Sequence, residues 1–238
     1  MTMSTGADFR ARRIGPGRPV AAKGQPPALR GRDGGAVGAM PERRTGPAIF
    51  LDKDGTLLAD VPYNVNPDRM RFAPGARAGL ARLARLGLPL IVISNQPGVA
   101  LGKFGIDDLQ PMRRKLEAMF LEAGASMLDF CFCPHHPQGV HPAYTKICDC
   151  RKPAPGLLCG AAGRHGIDIV ASWFIGDILD DVEAGRRAGC HTLLLDNGNE
   201  TEWRGSEWRR PDHVAADLDE ASLWLVHGGA LRHAGALP

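Results

Sequence analysis

Apolar residues along this chain come in short unbroken runs, and between the runs they recur at every third or fourth position. The runs at 48–51, 88–93, 127–132, 173–175 and 191–195 read as buried strands. A strand covered on both faces carries apolar residues without alternation. Between them, 74–86 places Leu80, Leu83 and Leu86 on one side of a helix. The stretch 107–122 does the same with Leu109, Met112, Leu116, Met119 and Phe120, and shorter helices are predicted at 155–165, 180–188 and 217–226. Asp107 is the expected N-cap of the second helix, and Gly87 ends the first. Strand and helix alternate throughout, which predicts an α/β fold with a Rossmann-like, doubly wound parallel sheet.

Polar residues gather where the strands stop. The first strand runs into Asp52-Lys53-Asp54-Gly55-Thr56, the second into Ser94-Asn95-Gln96, and the fourth into Gly176-Asp177, with Asp180 and Asp181 soon after. Open α/β sheets bind ligands outside the carboxyl ends of their strands. In an extended chain Asp52 and Asp54 point the same way, and two like charges that close call for a cation or a shared proton. The Ser94 hydroxyl and nearby N–H groups suit a phosphate oxygen, and Lys152 suits the charge of a phosphoryl group. Asp-Gly is also a common turn dipeptide, and a single lysine is usually a solvated one, so the joint pattern carries the argument.

A second constellation follows the third strand. Cys131, Cys133, His135 and His136 precede Cys148 and Cys150, with His141 between them. Nitrogen and sulfur donors in two close pairs suit tetrahedral structural zinc, although the spacing alone offers more donors than four. Six cysteines in a chain without a recognisable signal peptide favour metal binding over disulfides.

Composition narrows the class. At 238 residues, 44% hydrophobic and 23% charged, the chain matches an ordinary globular protein. No apolar run is long enough for a transmembrane helix, so no membrane role is expected. Residues 1–46 are rich in Gly, Pro and Arg and poor in acids, which predicts a disordered basic tail ahead of a domain at 47–228, with a loose end at 229–238. No aromatic residues interleave the arginines, so a nucleic-acid arm is not expected. Met40 is a possible alternative start.

Asp-x-Asp-Gly-Thr, then Ser94, then Lys152, then Gly176-Asp177 resembles, in order and type, the haloacid dehalogenase (HAD) phosphohydrolase superfamily over roughly 48–195. The resemblance implies Asp52 as nucleophile, Asp54 as general acid and base, and Ser94 and Lys152 as phosphate ligands. It also implies Mg²⁺ held by Asp52, Asp177 and the carbonyl of Asp54. Cys-Pro-His-His-Pro-Gln-Gly followed by Cys-Asp-Cys-Arg-Lys-Pro closely resembles the heptose bisphosphate phosphatases and the related histidinol-phosphatase domain. That resemblance implies zinc on Cys133, His135, Cys148 and Cys150 within a loop at 131–152, and leaves Cys131 to the core. It further implies no large cap domain, and substrate contacts from Asp60, Tyr63, Ser94, Asn95, Gln96, Arg151 and Lys152.

The expected activity is therefore Mg²⁺-dependent hydrolysis of a small phosphorylated sugar, by a cytoplasmic monomer. Histidinol phosphate or another small phosphomonoester is the alternative substrate, and a zinc-ribbon nucleic-acid module the alternative class. Such a module leaves the acids at the strand ends unexplained. Leu101 and Ile178 stand where the heptose enzymes usually carry cations, which predicts a weaker grip on a second phosphate. Because the tail is expected to lie outside the fold, a chain beginning at Met40 should match the full-length protein in activity and in melting temperature by circular dichroism.

Overall fold

The structure, a computed structural model, describes residues 46–229. The expected tail, Gly46 apart, and the residues after 229 lie outside that range. Within it the elements run β1 (Ile49–Leu51), α1 (Ala76–Ala84), β2 (Leu90–Asn95), α2 (Leu109–Glu122), β3 (Met127–Cys133) and α3 (Gly156–His165). There follow β4 (Trp173–Gly176), α4 (Leu179–Ala188), β5 (His191–Leu195), β6 (His213–Ala215) and α5 (Leu218–Trp224).

The strands form one six-stranded sheet in the order β3-β2-β1-β4-β5-β6, with every pair parallel. The chain winds outward from β1 through β2 to β3, then returns to the other side of β1. The reversal falls between β1 and β4, which pair in register with Leu51 opposite Ile175. At such a switch point the crossovers diverge and leave a crevice at the carboxyl ends of the strands.

Side chains alternate across this sheet as strand geometry requires. Ile49 and Leu51 face a core shared with Leu80 and Leu83 of α1, Leu116 and Phe120 of α2, and Leu218 of α5. Ala48 and Phe50 face the opposite layer, with Leu158 and Ala161 of α3 and Ala184 of α4. Both faces are covered, which is why the strand sequences show no polar alternation. The segment between β1 and α1 holds turns, isolated bridges and a single 3-10 turn (Pro67–Arg69), so no folded cap is inserted there.

Two local expectations change. A sixth strand, β6, adds to the edge beside β5. Only Ala215 of its three residues is buried, so it carries no apolar run to read. The second helix begins later than Asp107, because a 3-10 turn (Ile106–Asp108) leads into it. Asp108 rather than Asp107 does the local capping, its Oδ2 accepting from the Gly105 N–H at 2.7 Å.

In the layer of α1, α2 and α5, α1 packs closely against α5. A Cβ placed on Gly79 of α1 would lie 2.3 Å from the Leu218 carbonyl oxygen, a backbone atom that cannot swing aside. Gly79→Ala should therefore cost about 2 kcal/mol through overpacking, which lowers the Tm by about 5 °C in a calorimetric scan.

Candidate active site and metal centres

Chain geometry delivers four charged side chains to the crevice. Asp52 follows β1, and its N–H donates to the Ile175 carbonyl of β4 at 2.9 Å. Asp177 follows β4, and Asp181 lies in the first turn of α4. All three carboxylates are buried, and each offers an oxygen within 4.8 Å of the others. Lys152, 3% exposed, places its ammonium against them, ion-paired with Asp52 and lying 2.6 Å from Asp181 Oδ1.

One ammonium cannot neutralise this cluster. Burial, and then the charges of Asp52 and Asp181, push the Asp177 pKa up to about 8. Burial also pushes Asp52 up to about 6, against the pull of Lys152. Burial works against the Lys152 ammonium, yet the carboxylates of Asp181 and Asp52 outweigh it and move its pKa upward. A hard divalent cation with oxygen ligands suits such a carboxylate set.

Polar side chains brace the acids. Thr56 Oγ1 donates to Asp177 Oδ1 at 3.1 Å, and Asn199 Nδ2 donates to Asp177 Oδ2 at 2.9 Å. Gly55 has φ of 83°, and a Cβ there would fall 1.9 Å from Asp177 Oδ2, so only glycine lets the turn pass beneath that carboxylate. Asp54 pairs with Lys53, Nζ to Oδ1 at 2.6 Å. Burial is the leading cause of the upward shift of its pKa, with the Lys53 charge opposing.

These groups line a cavity of about 190 Å³, whose wall includes Asp52, Asp54, Asp60, Ser94, Lys152 and Asp177. Ile178 also lies on that wall, at the position where a cation was noted as missing. Asn95 lines the cavity, but its side-chain amide is already engaged: Oδ1 accepts from the Lys152 N–H at 3.0 Å and Nδ2 donates to the Lys152 carbonyl at 3.2 Å. Gln96 donates to Ser94 Oγ at 2.8 Å. Tyr63 and Gln96 line an adjoining cavity of about 160 Å³ that shares Asp54, Asp60 and Asn95 with the first. Arg151 lines a different recess, of about 340 Å³, together with Lys146, Asp180, Glu183 and Arg187, and Lys152 lines both that recess and the first cavity.

The second metal-ligand set is equally defined. Cys150 Sγ lies 3.2 Å from Cys133 Sγ, Cys148 Sγ and His135 Nδ1, and Cys133 Sγ lies 3.6 Å from the other two. Zinc bonds of about 2.0–2.3 Å in a tetrahedron separate donors by about 3.3–3.8 Å, and the 3.2 and 3.6 Å separations here gather the four donors near the short end of that range. Cys131 is apart from the set. Its Sγ lies 3.5 Å from Asp129 Oδ2 and accepts from Arg164 Nη2 at 2.9 Å, and burial pushes its pKa up to about 12.

Asp181, Thr56, Asn199 and Lys53 went unassigned in the sequence. Asp180 and Asp181 are adjacent, and only the phase of α4 decides that Asp181 points inward while Asp180 pairs with Arg209 at 2.6 Å. Asn199 belongs to no motif and reaches the site from beyond β5.

A buried carboxylate after the first strand, a lysine against it and further carboxylates after β4, all at the switch point of a parallel sheet, define an α/β phosphohydrolase. The HAD-hydrolase-like family model matches residues 149–221. The chain is 36% identical over 181 residues to the D-glycero-β-D-manno-heptose-1,7-bisphosphate 7-phosphatase of Salmonella typhi, covering 76% of this chain and 90% of that protein. Among solved structures, an HAD-like phosphatase from Mesorhizobium loti is 30% identical with a TM-score of 0.67, over 76% of this chain and 85% of that one. The D,D-heptose 1,7-bisphosphate phosphatase of B. bronchiseptica, complexed with magnesium and phosphate, is 28% identical with a TM-score of 0.63, over 76% and 98% of the two chains. The chain belongs to the HAD-like hydrolases, in the family of the heptose bisphosphate 7-phosphatases.

Cys148→Ser should lower zinc content and melting temperature together, because a metal held by four protein donors would close the loop rather than meet substrate. Cys131→Ser should leave the zinc content near that of the unaltered protein. Metal analysis of the two purified variants checks both outcomes.

Proposed function

We propose that this phosphatase hydrolyses the 7-phosphate of D-glycero-D-manno-heptose 1,7-bisphosphate through an aspartyl-phosphate on Asp52. The observation that carries the reading is the buried Asp52 carboxylate held against Lys152, with Asp177 and Asp181 beside it. Family membership directs the substrate assignment towards the heptose bisphosphate.

Asp52, Asp177 and the Asp54 carbonyl would hold Mg²⁺, which offsets the repulsion between a phosphate dianion and the carboxylate nucleophile. The chain supplies the rest. An Asp52 carboxylate oxygen attacks phosphorus in line, and the bond from phosphorus to the sugar oxygen breaks. Asp54 gives its proton to the leaving sugar oxygen, then takes one from the water that releases phosphate from Asp52. Lys152 and the Ser94 hydroxyl face the phosphoryl oxygens and neutralise their charge. The ion pair also keeps Lys152 charged despite its burial, and Asn95 fixes its backbone. Four protein donors fill the zinc set, so zinc serves the loop that carries Arg151 and Lys152.

No helix among the described residues is long and apolar enough to cross a membrane. Free thiols, with three of them in a metal-ligand cluster, suit a reducing cytoplasm. A monomer is the assembly we infer, and sedimentation tests it.

Asp52→Asn should abolish turnover and leave the melting temperature within a few degrees, because an amide is a poor nucleophile at phosphorus. Phosphate release from sugar mono- and bisphosphates, with and without Mg²⁺, measures it. Substantial residual kcat in that variant would remove Asp52 from the nucleophile's role. A preference for monophosphates in the unaltered protein would overturn the substrate, leaving the chemistry in place.

A further inference from the structure

Lys53 stands between the two acids that follow β1, yet the chemistry above gives it no task. It is 1% exposed, and its Nζ lies 2.6 Å from Asp54 Oδ1. A buried ammonium is costly unless paired, so this contact fixes both partners. The other carboxylate oxygen, Asp54 Oδ2, is engaged differently. It accepts from Gln96 Nε2 at 3.4 Å, a long contact, while the same amide bonds Ser94 Oγ at 2.8 Å. Asp54 is therefore gripped firmly at Oδ1 and loosely at Oδ2, with its side chain 32% exposed towards the cavity.

We propose that Lys53 is a positioning residue for proton transfer: it pins Asp54 Oδ1 and leaves Oδ2 as the oxygen that carries the proton. This rests on Asp54 acting as the acid and base. In the first step the Asp54 Oδ2–H proton passes to the leaving sugar oxygen as its bond to phosphorus breaks and the Asp52–phosphorus bond forms. The resulting Asp54 carboxylate is stabilised by the adjacent ammonium. In the second step water gives a proton to Oδ2 while its oxygen bonds to phosphorus and frees Asp52, which restores both acids. A rotated Asp54 carboxyl would offer the proton along the wrong direction, and small misplacements of a catalytic group are expensive in rate.

The consequence depends on the leaving group. A sugar alkoxide needs a proton as it departs, whereas p-nitrophenolate departs without one. The full chain loaded with Mg²⁺ is assayed with an alkyl sugar phosphate and with p-nitrophenyl phosphate. For Lys53→Met, the ratio of kcat/KM on the alkyl ester to that on the aryl ester should fall about thirtyfold, within the range that general acids contribute. Equal losses on both esters would overturn the proposal and make Lys53 a folding residue. Lys53→Gln takes the same test if Lys53→Met does not fold. Asp54→Asn separates the two readings. If it leaves the ratio unchanged, Asp54 is not the acid; if it lowers the ratio and the Lys53 variants do not, only the role of Lys53 fails.

Discussion

Everything at the crevice follows from crowding negative charge where water is scarce. Asp52, Asp177 and Asp181 converge in a buried space, and Lys152 alone cannot balance them. Without compensation Asp177 would hold a proton at neutral pH, its pKa pushed up to about 8 by burial and by the neighbouring carboxylates. A divalent cation would complete the cluster, and would also prepare the site for a phosphate dianion. The arrangement that makes the folded protein electrostatically uneasy is the one that gives it chemistry.

The fold supplies this crowding through topology. Asp52 and Asp177 are far apart in sequence, but β1 and β4 are neighbours in register, so their carboxyl ends deliver both acids to one place. Lys152 arrives from the zinc loop. Its backbone is clasped by the Asn95 side chain at the end of β2, so the loop and the sheet share one reference point. The sulfur and nitrogen cluster lies two residues upstream of Lys152 and sets the path of the chain into it. A soft-ligand metal would thus serve position while a hard-ligand site served reaction, and the differing donor chemistry would keep the two ions from exchanging places.

Much of this was legible in the sequence. Apolar runs ending in acids marked β1 and β4, because a strand covered on both faces and a ligand site at its end leave a joint signature. The helices were legible wherever their apolar period was long, as in α2. What stayed hidden depends on contacts between distant segments. Thr56 and Asn199 brace Asp177 from two loops, and neither differs in type from an ordinary polar loop residue. Asp181 was masked by Asp180 beside it. β6 has three residues and one buried side chain, too little pattern to read.

Arg151 shows how resemblance and geometry divide the work. Sequence similarity places it among substrate ligands, and in the fold it lines a recess with Lys146, Asp180, Glu183 and Arg187 that shares Lys152 with the reaction cavity. Ile178, on the wall of the reaction cavity, offers no charge of its own. Lys152 inside the cavity and Lys53 behind Asp54 are each committed to a carboxylate. Neither is free to hold a second phosphate without releasing an acid. A second phosphate would then find its partners at the rim of the crevice rather than at its floor. The rim is built from loops, which vary without disturbing the buried ion pairs beneath them.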